Sequence, residues 1–247
     1  MDSNAPSTLA DQLAASLDWW REAGVDQDYS DEITKLLAEG EVEPAKPPPK
    51  KAEAPQEKQA PAPPQIGGDN AQFPQSFAGF APWWVSEPSL DNGNMSKRLA
   101  PRGVQNAKLM VIVPMPEEAD SDQLLSGNQG KLVSNMLRAM QIAPEASYQA
   151  AVLPRHMPFA NWSELQQAGL GKVLHHHIQL AAPERILVLG SDILPLLGLE
   201  KRRGVLEIES NGSAIQLLAS YAPENLLENA RLRADLWRRW LDWTGKA

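Results

Sequence analysis

Short apolar runs, each followed by a stretch of helical periodicity, constrain this chain more than any other feature. Leu109-Met-Val-Ile-Val113 is apolar throughout, as in a strand covered on both faces. Ala150–Leu153, Ile186-Leu-Val-Leu189 and Ile215–Ala219 are further strand candidates, with Val205–Ile208 beside the last. Between them the period lengthens. Leu132, Met136, Leu137 and Met140 mark one helix, and a second runs from about Ser163 to Leu180. Asp192 caps a short helix holding Leu194, Leu196 and Leu197, and Pro223 opens a segment leading to a last helix at about 230–243. Repeated β-then-α units predict an α/β fold: a three-layer α/β/α domain with a central, mostly parallel sheet. Ligands of such folds sit beyond the carboxyl ends of the strands, which singles out loops 114–130, 154–162, 190–192 and 220–229.

That pattern occupies residues 76–247. Residues 1–43 form a different zone, with 11 acidic and 2 basic residues, and account for the chain's net charge of −8; the rest is nearly neutral. Within it, Leu9, Leu13, Leu17 and Trp20 recur at helical spacing, Gly24 stops the run, and Ser30-Asp31-Glu32 opens a second short helix. The reading is a small N-terminal helical hairpin, either docked on the body or offered to a protein partner through Trp19 and Trp20. Residues 44–75 read as a flexible, Pro-rich linker. Eight prolines fall within 44–64, where no apolar residue exceeds Ala, so burial cannot offset the entropy of ordering. No run approaches a bilayer span and no signal-like segment opens the chain, which implies a cytoplasmic protein without a membrane partner.

The chain has no cysteine, so a thiolate-held metal or iron–sulfur cluster has no ligands; no cofactor is expected. Loop 114–130 carries Glu117, Glu118, Asp120 and Asp122, which read as a metal or base cluster or as a solvated acidic loop. Gly127-Asn-Gln-Gly130 before a helix could present N–H groups to an anion, although it has neither P-loop nor dinucleotide spacing. His175-His-His177 falls on a helix, where adjacent residues point apart, so packing is the reading rather than metal. His156, in Pro154-Arg155-His156-Met157-Pro158, is the one histidine in an expected site loop. Arg155 beside it is the candidate phosphate or carboxylate contact.

The order of these loops from about Leu109 to Trp243 resembles the uracil-DNA glycosylase superfamily, and within it the bacterial iron–sulfur branch. Val113-Pro-Met-Pro-Glu-Glu through Leu124-Leu-Ser-Gly-Asn-Gln-Gly130 matches the family's first loop, with Pro116, Gly127 and Gly130 in place. Ala151-Val-Leu-Pro-Arg-His-Met-Pro158 matches the segment N-V-x-P-W-R-P-P, and Pro183–Gly190 matches P-x-x-I-x-x-L-G. Ser220-Tyr221-Ala-Pro-Glu-Asn-Leu-Leu-Glu228 matches T-Y-H-P-x-x-L-L-R. The resemblance implies the family's fold but not its chemistry. Where the family has a water-activating acid, a base-stacking aromatic, a uracil-reading Asn and a His at the departing base, this chain has Pro114, Leu125, Ala151 and Ala222.

The resemblance therefore implies a degenerate, repair-associated relative that lacks standard uracil excision and whose ligand is DNA or a nucleotide. The candidate ligand-binding residues are Arg155, His156, Gly127, Gly130, Leu125 and Tyr221, in a cleft between loops 114–130, 154–158 and 220–229. Two alternatives stay open: an enzyme of altered chemistry using Arg155 and His156, and a protein-partner scaffold with no nucleic-acid role.

Overall fold

The computed structural model describes residues 65–91 and 95–245, with Leu9, Ala15, Asp18 and Trp19 as isolated helical positions ahead of them. Apart from those four positions, the expected hairpin and the proline block at 44–64 lie outside the described residues. The chain divides into two compact units, Met1–Glu57 and Lys58–Ala247, and the fold below belongs to the second.

Six strands form one mixed sheet: β1 (Arg102–Gly103), β2 (Leu109–Val113), β3 (Ser147–Ala151), β4 (Arg185–Leu189), β5 (Gly204–Ser210) and β6 (Ser213–Ser220). Their order is β1-β3-β2-β4-β6-β5, the inner four being parallel and both edges antiparallel. All the inner strands therefore end on one side, at residues 113, 151, 189 and 220. Among the described residues, six α-helices accompany them: α1 (Phe77–Ser86), α2 (Asn128–Ala139), α3 (Trp162–Gln167), α4 (Leu170–Ala181), α5 (Pro223–Glu228) and α6 (Ala230–Thr244).

The period of two along each strand sorts the buried side chains into two clusters. Met110, Ile112, Ile186, Val188, Leu217 and Ala219 pack with Leu170, Leu174 and Ile178 of α4. Their neighbours Leu109, Val111, Val113, Leu187 and Leu218 pack with Val133 and Leu137 of α2, Leu226 of α5, and Leu236, Trp240 and Trp243 of α6. Burial on both faces is why β2 tolerates no polar residue. At roughly 25 cal/mol per Å² of apolar surface, these two clusters dominate the folding energy.

Several expectations need correction. The strand expected at 150–153 is Ser147–Ala151. Its polar first half is buried because Tyr148 and Gln149 pair on both sides, with β1 and with β2. The single helix expected at 163–180 is two, because Gly169 adopts φ +95 and breaks it. Asp192 lies in the first turn of a 3-10 helix, Ser191–Leu197, whose cap position is Gly190; its carboxylate instead meets Lys201 at 3.1 Å. Residues 65–75, assigned to the linker, bring Phe73 into a third apolar cluster with Phe80, Trp84, Leu90 and Val173, and Ile66 N–H donates to the Ala168 carbonyl.

Candidate functional site

At the carboxyl ends of the inner strands, where a ligand would be expected, three small residues meet. Gly190, at φ +125, lies so close to its neighbours that an added Cβ would sit 2.9 Å from Pro114 Cγ and 3.9 Å from Ala222 Cβ. Ala151 ends β3 and is buried. Pro114, Ala151 and Ala222, three of the four positions read as catalytic in the resemblance, thus bring only alkyl groups to these strand ends. The fourth, Leu125, is buried at φ 57, and its carbonyl accepts from Arg102 Nη2 at 3.2 Å. Tyr221 turns away toward α6: its hydroxyl donates to Asp235 at 3.4 Å, and the Arg203 guanidinium lies 4.4 Å above its ring.

The acidic loop has its own use for its carboxylates. Asp120 accepts from the N–H groups of Glu117, Leu125, Ser126 and Gly127 and from the Ser126 hydroxyl, at 2.7–3.3 Å. Glu117 Oε1 accepts from the Gly130 N–H at 3.0 Å. The first turn of α2 has no side-chain cap at Gly127, so these two carboxylates serve its orphan donors and complement the helix dipole. Of the N–H groups expected to receive a ligand anion, those of Gly127 and Gly130 are already filled from within the chain. Gly130 is required for this closure, because a Cβ there would come within 1.8 Å of the Leu125 carbonyl oxygen.

Arg155 and His156 line a cleft of about 380 Å³ with Lys97, Pro116, Glu117 and Glu118. The opposite wall comes from residues 96–99; loop 220–229, expected there, contributes nothing. Arg155 is engaged within the fold: its Nε donates to buried Asp91 at 3.1 Å, and Asp91 also takes Arg98 at 2.9 Å. His156 is half-buried. Its Nδ1–H donates to the Pro116 carbonyl at 3.0 Å, and because a carbonyl only accepts, the neutral ring carries its lone pair on Nε2. With one Lys and one Arg against two Glu and Asp120 on its walls, this cleft has no net attraction for a polyanion.

One residue of the same loop escaped the sequence reading. Phe159 is fully exposed, at φ 61, a conformation costly for a bulky side chain. Its signal was available, as an aromatic in the second half of an expected site loop, but nothing in a sequence shows that an aromatic faces water.

The histidine run packs as read. His177 is buried, stacked 3.9 Å from the Phe80 ring, and shares a 2.8 Å hydrogen bond with the Tyr148 hydroxyl. Burial pulls His177 down to about 3 and pushes the Tyr148 phenol up. His176 Nε2–H donates to the Pro74 carbonyl at 2.8 Å, and burial lowers His175. Among the described residues no group of three or more His, Asp or Glu could hold a metal ion, and no helix is long and apolar enough to cross a membrane. The chain has no cysteine, so no thiolate can hold a metal ion or an iron–sulfur cluster.

No protein-family model and no curated protein matches this chain.

Proposed function

We propose that the chain is a divergent uracil-DNA glycosylase-like protein, with a three-layer α/β/α body, that binds DNA or a nucleotide in a repair-related role without excising uracil. The observation that carries this reading is the contact of Pro114, Gly190 and Ala222 at the strand ends. Releasing a base builds negative charge on it and positive charge on the sugar, and each stabilising group lost typically costs ~10²–10³ in rate. Alkyl carbons there supply neither a base for water nor a donor for the departing ring.

The binding half of the reading draws on Phe159. An extruded or single-stranded base needs an aromatic face, worth about 1–3 kcal/mol per stacked base. Leu125 offers none, whereas Phe159 presents one on the loop that also carries Arg155 and His156. The test uses one uracil-containing oligonucleotide, single- and double-stranded, for both binding and base release. Binding without release is expected, with Phe159→Ala weakening it about 5–10-fold at unchanged stability. Base release at the rate of an active relative would sink the reading.

A second reading, an enzyme of altered chemistry, rests on His156. Its oriented Nδ1–H and unpartnered Nε2 are what a general base requires. Turnover of any nucleotide that disappears in His156→Gln while binding persists would favour it.

A further inference from the structure

A groove along α2 has the chemistry that the strand-end cleft lacks. A cavity of about 400 Å³ beside Leu125 and Gly130 adjoins one of about 560 Å³ beside Leu137 and Pro144, and Arg102, Ser134 and Arg138 line both. Lys131 joins them in the first. Positions 131, 134 and 138 fall on one face of a helix, so a cationic stripe runs about 10 Å along α2. Among the described residues, no Asp or Glu lines either cavity.

Arg102 is the centre of this groove. Its Nε donates to Gln149 Oε1 at 3.0 Å, Nη1 to Gln123 Oε1 at 3.2 Å, and Nη2 to the Leu125 carbonyl at 3.2 Å. All three partners are neutral. Burial lowers the guanidinium from its ordinary value, the direction expected of a cation withdrawn from water without a carboxylate in contact. Asp120 is close enough to attract it but spends its oxygens on loop N–H groups. Three of the five guanidinium N–H donors are thus used to fix the fork, and two remain. The neighbouring Gln123, Gln141 and Gln149 amides add donors and acceptors without charge.

We infer that this groove binds the phosphodiester backbone of single-stranded nucleic acid, with Arg102, Lys131 and Arg138 as the phosphate contacts. The inference rests on the nucleic-acid reading above and gives it a surface. A single strand suits a groove beside one helix, and its phosphates recur at a spacing the stripe can span with two or three contacts.

The experiment measures anisotropy of a fluorescein-labelled oligothymidylate about a dozen nucleotides long over a salt series. It compares the parent, the Lys131→Gln/Arg138→Gln double variant and Phe159→Ala. Lys131 and Arg138 are exposed, so the double variant should fold like the parent, and Arg102 is left in place because it also tethers the loop. The double variant is expected to bind about tenfold more weakly, with a salt slope shallower by about 1.4 for two lost contacts. Phe159→Ala should weaken binding while keeping the parent slope. A double variant indistinguishable from the parent overturns the groove and leaves the nucleic-acid reading standing. A parent that does not bind at low salt overturns that reading and the groove with it. Inorganic pyrophosphate competing as well as the unlabelled oligonucleotide, phosphate for phosphate, would assign the groove to a small anion and overturn the polymer.

Discussion

The cleft at Arg155–His156 and the groove along α2 share one loop, 114–130, yet treat charge in opposite ways. On the cleft side Glu117 and Asp120 take the backbone donors of Glu117, Leu125, Ser126, Gly127 and Gly130, and buried Asp91 takes both Arg155 and Arg98. On the groove side Arg102 is held by two amides and a carbonyl, with Lys131 and Arg138 in the open. One region has settled its electrostatics internally; the other leaves a cationic surplus. Surplus charge at a half-buried arginine is what a ligand can neutralise with gain, whereas a paired one must first lose its partner. The lesson is that a run of acids or an Arg-His pair in a sequence announces charge, not its availability.

The largest test removes the shared element. Gly130→Ala places a Cβ where the Leu125 carbonyl oxygen now sits, and backbone cannot yield as a side-chain tip would. A loss of about 3 kcal/mol or more in urea denaturation is expected, with oligonucleotide binding lost as the Leu125 anchor of Arg102 shifts. A variant within about 1 kcal/mol of the parent would show that the two regions do not depend on one loop closure.

Next comes the acid limb, which separates both regions from the core beneath them. The His177 ring falls from its ordinary 6.5 to about 3 in the fold, so the unfolded chain binds the extra proton between those values. Stability is complete above about pH 6.5 and is lost as pH falls toward 3, at about 1.4 kcal/mol per pH unit, or about 2 kcal/mol by pH 5. The double variant His177→Phe/Tyr148→Phe, which leaves no orphan hydroxyl, should flatten this limb. If the slope survives in the double variant, the buried His177 does not set it.

Asp120→Asn removes the charge but keeps an acceptor for part of its donor set, at an expected cost of about 1.5 kcal/mol by thermal or urea unfolding. It should also tighten oligothymidylate binding about twofold, because it deletes the carboxylate whose charge attracts Arg102. Weaker binding in this variant would make the acid part of the site and dissolve the contrast between the regions.

The smallest effect is expected of Arg155→Ala. Asp91 keeps Arg98, so the loss should be about 1 kcal/mol, with no change in oligonucleotide affinity. A tenfold loss of affinity would return the phosphate contact to the cleft.

Two kinds of information built this protein. Sequence alone determined the α/β class, the places of β2 and β4 and the register of the last helix. Local apolar runs and helical periods leave a chain few ways to bury both faces of a strand. It also determined that no thiolate chemistry is available, and that Pro114, Leu125, Ala151 and Ala222 carry only alkyl groups. The tertiary structure decided the rest, because the deciding interactions lie far apart in the chain. Ser147–Gln149 become a buried strand only when β1 and β2 flank them. Asp91 reaches Arg155 across 64 residues, and Arg102 reaches Gln149 across 47. No period or spacing reports such pairings. Whether a charge is spent or free depends on which partner the fold brings within about 3 Å, and that is fixed by packing alone.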